Sequence, residues 1–157
     1  MGPTRIGGLP AHPLLVHAVV TLVPLACVLV VVAALWPAAR HRLGPVPPVL
    51  AVLGLIAVPP TTHAGEALEE SLAKATGTHD PAIERHAHLG DQLLPWMVAL
   101  VVVAVVAWAV QRRERVPAAL RVVVPVVAVV VAVATAWMTY RIGDTGARAV
   151  WNGVGSS

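Results

Sequence analysis

Residues 63–91 read HAGEALEESLAKATGTHDPAIERHAHLGD and hold four of the seven histidines and six of the eight acidic residues of the chain. The runs on both sides are almost uncharged and built from Val, Ala and Leu. A polar, His-rich segment hung between apolar runs of that length reads as the extramembrane part of a membrane protein. Composition agrees: 57% hydrophobic and 12% charged residues lie far from the soluble average. Phe is absent, so the spans are expected to be slim helices that approach one another closely.

Working outward, four spans are expected, at about 14–35, 46–62, 93–110 and 122–140, within one membrane domain covering 1–157. A 20-residue helix at ~1.5 Å per residue crosses a ~30 Å hydrocarbon layer. Span one carries His17 and a kink candidate, Pro24. Span two is short and bracketed by prolines, and Pro59 and Pro60 predict a tilted or broken end. Beyond it, Leu68 and Leu72 lie on one face and Glu70 and Lys74 pair at i,i+4, which predicts a short interfacial helix ended by Gly77. Asp80 and Pro81 signal the start of the next helix, before the apolar part of span three. Trp96, Trp108, Trp137 and Tyr140 stand near span ends, where an aromatic belt belongs. The Gly-rich tail after Tyr140 reads as an ordered turn rather than a helix, and the first ten residues as a short Gly/Pro tail without signal-peptide features.

Four spans place both termini and the His-rich segment on one side. Arg40, Arg42, Arg112, Arg113, Arg115 and Arg121 crowd the two short turns on the other. By the positive-inside rule those turns are cytoplasmic and the histidines extracytoplasmic, in a bacterial cytoplasmic membrane. The formal charge of +3 comes mostly from these arginines, which fits orientation in a bilayer and not nucleic-acid binding. Cys27 is alone, so no internal disulfide forms and its expected role is packing.

Six histidines fall on the expected outer side, and only His41 does not. His17 lies one turn inside span one, where a polar side chain is costly without a partner. His63 ends span two, and His86 and His88 lead into span three. Imidazole is the common ligand of haem iron, copper and zinc. A helical bundle can hold b-type haem between histidines of two helices, and Ala18, Gly54, Ala57 and Ala99 leave room for it. The preferred axial pair is His17 with His86, with His63 as substitute. Met138 is a further candidate, with core filling as the simpler use.

A bare copper, iron or zinc ion competes for the same residues. His63/Glu66 at i,i+3, Glu84/His88 at i,i+4 and Asp91 beyond give helix faces of mixed nitrogen and oxygen donors, so the metal set is His17, His63, Glu66, His86 and His88. These spacings also arise by chance. His12 before Pro13 reads as a cap of span one, His79 as part of a turn, and the glutamates as a solvated face. His17 can equally be satisfied by a neighbouring backbone carbonyl.

HPLLVHAVV (12–20), THAGEALEE (62–70), ERHAHLGD (84–91) and RIGDTGARAVWNGVG (141–155) together resemble the bacterial four-span family of domain of unknown function 2231, over nearly the whole chain. The matching positions are His12, Pro13, His17, Gly65, Glu66, His86, Gly90 and the glycines of the tail. The resemblance implies a small membrane protein without an established activity, of a kind sometimes joined to Rieske-type redox modules. Ala18 stands where a bulky residue is usual and Trp151 where a tyrosine is usual.

The expected protein is thus an all-α, four-span membrane bundle with an outer histidine site for haem or a metal. It would transfer electrons to a quinone or a partner protein in the bilayer, with oligomers possible. The alternative is a non-redox anchor or partner-binding subunit. No nucleophile and base stand at a telling spacing, and there is little sign of a charged pathway through mid-membrane, so hydrolysis and transport are poorly supported.

Overall fold

A computed structural model describes residues 4–151. Two strands, β1 (Arg5–Ile6) and β2 (Leu9–Pro10), pair as a small antiparallel hairpin whose turn is Gly7-Gly8, both at positive φ. Glycine tolerates that backbone, so the tail forms a tight two-residue turn that its composition alone did not announce. Helices follow: α1 (Ala11–Leu35), α2 (Pro37–Leu43), α3 (Val46–Thr76), α4 (Pro81–Asp91), α5 (Leu93–Gln111) and α6 (Ala118–Trp151). Four helical stretches are long and apolar enough to cross a membrane: α1, α3, α4 with α5, and α6. The chain is a multi-pass helical membrane protein.

α1 packs mainly on α3 and α6, and α5 packs on the same two from across the bundle. The short α4 lies outside the apolar run and leans on α6 and α3. Small residues make these approaches possible: Ala26, Ala51, Ala104, Ala128 and Ala132 are all buried. Between them sit Val23, Met97 and Leu100, fully enclosed. Thr135 is buried too, and its hydroxyl donates to the Val131 carbonyl of its own helix at 2.8 Å, so it adds no unsatisfied group. Val122, Val126, Val130 and Val133 point outward, as a lipid-facing surface requires.

α5 occupies the expected span, and Asp80 caps α4 by accepting from the Ala82 N–H at 2.8 Å. Two expectations are corrected. Pro59 and Pro60 do not break the second span: α3 runs unbroken for 31 residues, about 46 Å at ~1.5 Å per residue, and absorbs the short helix expected after it. The prolines remove the donors that would serve the Leu55 and Ile56 carbonyls, yet the helix continues through them. The Thr61 hydroxyl donates to the Ala57 carbonyl at 2.7 Å. From Arg141 to Trp151 the tail is not a turn either, and the remainder of that expected turn, 152–157, lies outside the described residues. α6 continues through Gly143 and Gly146 to Trp151, clasped by an Asp144/Arg148 pair at 2.8 Å and covered by α4.

Gly54 shows how closely α3 and α5 meet, since an added Cβ would stand 2.9 Å from Met97 Cε and 3.4 Å from Val23 Cγ2. Gly54→Val is therefore expected to destabilise the bundle by about 1–3 kcal/mol through overpacking, read as a lower thermal midpoint in detergent. Adding Met97→Ala should recover part of the loss. If Met97→Ala made Gly54→Val worse instead, Met97 would not be the residue in the way.

Candidate functional site

At the end of the bundle where α1 begins and α3 and α6 finish, two imidazoles from different helices come together. The His12 and His86 ring centres are 6.2 Å apart, with the rings nearly perpendicular at 77°. His12, one residue into α1, donates from Nδ1 to the Thr61 carbonyl of α3 at 2.9 Å. His86, on α4, donates from Nδ1 to the Ile142 carbonyl of α6 at 3.1 Å, with the Thr145 hydroxyl at 3.3 Å. With Nδ1 carrying the proton in each neutral ring, both Nε2 atoms keep their lone pairs.

The two contacts repeat one local device. Each carbonyl belongs to residue i of a helix whose residue i+4 is glycine: Thr61 and Gly65, then Ile142 and Gly146. Side chains four apart lie one above the other, so the residue at i+4 stands beside the carbonyl the ring approaches. A Cβ on Gly65 would come within 3.0 Å of the His12 ring, and one on Gly146 within 2.9 Å of the His86 ring. Glycine leaves the carbonyl reachable, and its second lone pair takes the imidazole N–H.

The other candidate ligands lie apart from this pair. His17 is exposed and bonds back to the Pro13 carbonyl of its own helix. His63 stands 3.8 Å from the exposed Glu66, and His88 pairs with Gln92 at 3.2 Å. Met138 is buried in the core. Among the described residues, the one group of three ligand-type side chains within reach of one another is Glu69, His79 and Glu84, at the turn between α3 and α4. The structure therefore brings His86 to His12 and not to His17. By sequence His12 suits a cap, being a histidine before proline at a helix start, and the structure gives its ring an inter-helix bond. The spacings Thr61/Gly65 and Ile142/Gly146 were visible in the sequence but carry no weight until a ring is seen against them.

A family model described as "Predicted membrane protein (DUF2231)" matches residues 8–156. The chain belongs to this family. The match takes in both imidazoles and both glycines, and the family's description extends no further than a predicted membrane protein. No curated protein and no solved structure matches the chain.

Burial pushes the His86 imidazole below its ordinary range, the nearby His12 acts in the same direction, and the bond to Ile142 opposes both. A lowered folded-state value fixes the sign of the pH effect. The unfolded chain takes up the proton first as pH falls through ~6.5, so the contribution to stability is full above that value and declines on acidification until His86 is protonated in the folded state as well. Cofactor-free protein is expected to lose thermal stability between pH 7 and 5 with a slope that His86→Gln reduces; the same slope in the variant would assign it to other groups.

The two glycines of the α6 end give a second check. Gly143 has nothing within 4 Å of an added Cβ, so Gly143→Ala should stabilise by up to about 1 kcal/mol through helix propensity. Gly146→Ala should not, because the methyl displaces the His86 ring and costs its hydrogen bond. Equal gains for the two variants in chemical denaturation would show that the ring does not rest on Gly146.

Proposed function

We propose that this DUF2231 protein is a small membrane electron carrier of b-type haem, which His12 and His86 would hold through Nε2. The observation that carries the reading is the pair itself: two imidazoles from different helices, each with Nδ1 tied to a carbonyl, 6.2 Å between centres. One metal atom bonded to two imidazole nitrogens at ~2.0–2.1 Å holds the ring centres about 6 Å apart. A carbonyl behind Nδ1 fixes the tautomer and makes Nε2 a better donor, as it does for most ligating histidines.

The number of donors favours haem over a bare ion. Zinc takes four ligands, and the described group of three ligand-type side chains includes neither ring. Haem iron needs only two from the protein. Bound there, the group would supply reversible one-electron chemistry. The protein's part is to orient the two rings, to disfavour protonation of His86 by burial, and to close the site with the backbones of Gly65 and Gly146. With the Arg-rich turns in the cytoplasm, the site faces outward from a bacterial cytoplasmic membrane, within reach of a quinone in the bilayer or a partner protein.

A second reading has its own support. The rings meet edge to face against glycine backbones, and the two described cavities lie at the other end of the bundle. On this reading the histidines are staples between helices, and the protein is an anchor or partner-binding subunit without a cofactor.

Visible spectra of the detergent-purified protein, oxidised and dithionite-reduced, with elemental analysis of the same sample, separate the readings. A Soret band that disappears in His12→Ala and in His86→Ala but survives in His17→Ala is the expected result. Loss in His17→Ala alone would return the ligand role to His17. Copper or zinc at one per chain without a Soret band would favour a bare ion. Neither chromophore nor metal, in protein never exposed to chelator, would leave the staple reading.

A further inference from the structure

The opposite end of the bundle carries a cavity of about 290 Å3 between the end of α1, the end of α5 and the start of α6. Its polar lining is Arg40, Arg113, Arg121 and Gln111, with no carboxylate among the lining residues, and its other walls are apolar, including Ala107 and Val124. Arg40 is held in place: Nε donates to the Ala33 carbonyl at 3.0 Å and Nη2 to that of Ala34 at 2.8 Å, closing the end of α1. Arg113 and Arg121 take no part in the ion pairs of the described residues, which are His63/Glu66, Glu70/Lys74, His79/Glu84 and Asp144/Arg148. Three arginines thus line a space with apolar walls, where the apolar runs end.

A second cavity of about 20 Å3 adjoins it, sharing Ala34, Ala107 and Gln111, and is lined by Trp108. The Trp108 indole N–H is buried and has no acceptor among the described residues, although Arg112 stacks on its ring at 4.6 Å. A buried donor calls for an acceptor, and this one stands beside the cationic cavity.

We propose that this cavity binds one anionic phospholipid, its phosphate held by Arg113 and Arg121 and its glycerol and upper acyl region against the apolar walls. Guanidinium pairs phosphate oxygens in two parallel hydrogen bonds, and basic pockets between membrane helices suit acidic head groups. A free phosphate ion would satisfy the arginines but leave the apolar walls without a partner. A zwitterionic lipid would satisfy the walls but bring its own cation to the arginines. The site is independent of the histidine pair and does not depend on which side of the membrane it faces.

Native mass spectrometry of the delipidated full chain in detergent tests this, with phosphatidylglycerol, phosphatidylcholine and inorganic phosphate as probes. One phosphatidylglycerol per chain is expected, at least tenfold preferred over phosphatidylcholine. Arg113→Gln/Arg121→Gln should erase the preference, whereas Arg42→Gln/Arg115→Gln, which removes the same charge outside the lining, should keep it. Val124→Trp, which fills the cavity without changing charge, should lower phosphatidylglycerol retention in folded protein. Equal retention of the two lipids, equal loss in both arginine pairs, or full retention with Val124→Trp would overturn the proposal. Displacement of phosphatidylglycerol by millimolar phosphate would overturn the lipid as ligand and leave a free-anion site.

Discussion

A carbonyl inside a helix is bonded along the helix axis yet keeps a second lone pair, and whether anything can reach it depends on the side chain four residues on. At Thr61 and at Ile142 that side chain is missing, and an imidazole fills the opening. These two bonds join α1 to α3 and α4 to α6 at the same end of the bundle. They link helices where apolar packing is giving way to polar segments. The core of Val23, Met97, Leu100 and buried alanines sets how close the helices come, but such smooth surfaces specify rotation and register weakly. Directional bonds at the end supply what the alanines cannot.

The fold was legible because hydropathy is a long-range average. α5 was found nearly to the residue, and Asp80 announced the start of α4 through an elementary capping bond. The errors fell where one residue type does two jobs. Pro59 and Pro60 read as a break, yet in a helix packed on both sides the loss of two donors is tolerated. Gly143 and Gly146 read as turn residues, although Gly146 is there to admit a ring. The site was half legible for a related reason. His86 was singled out by its place on the helix before span three, but its neighbour is set by how far α1 and α4 slide along α3 and α6. No periodicity in a single helix carries that offset, so the approach of His12 to His86 is not legible in the sequence, where His17, deeper in the apolar run, is the more conspicuous histidine.

The two ends of the bundle divide the chemistry between them. Hydrogen-bonded imidazoles occupy one end, and a cavity lined by three arginines occupies the other. Trp137 and Tyr140 stack on each other at 5.5 Å and remain exposed near the first, while Trp108 at the second is drawn inward under Arg112. Aromatic residues that looked equivalent as interfacial anchors therefore differ: one set faces outward, and the other is part of the wall of a cavity.

α3 and α6, at 31 and 34 residues, are each far longer than the ~20 residues a bilayer needs. Ile142 and Gly146 stand on the surplus turns of α6, and Thr61 and Gly65 stand where the surplus of α3 begins, so the histidine pair rides on rods whose immersion depends on the thickness of the lipid around them. A thicker membrane draws those turns toward hydrocarbon and a thinner one lifts them toward water. The polarity around the two rings is thereby coupled to the composition of the surrounding lipid.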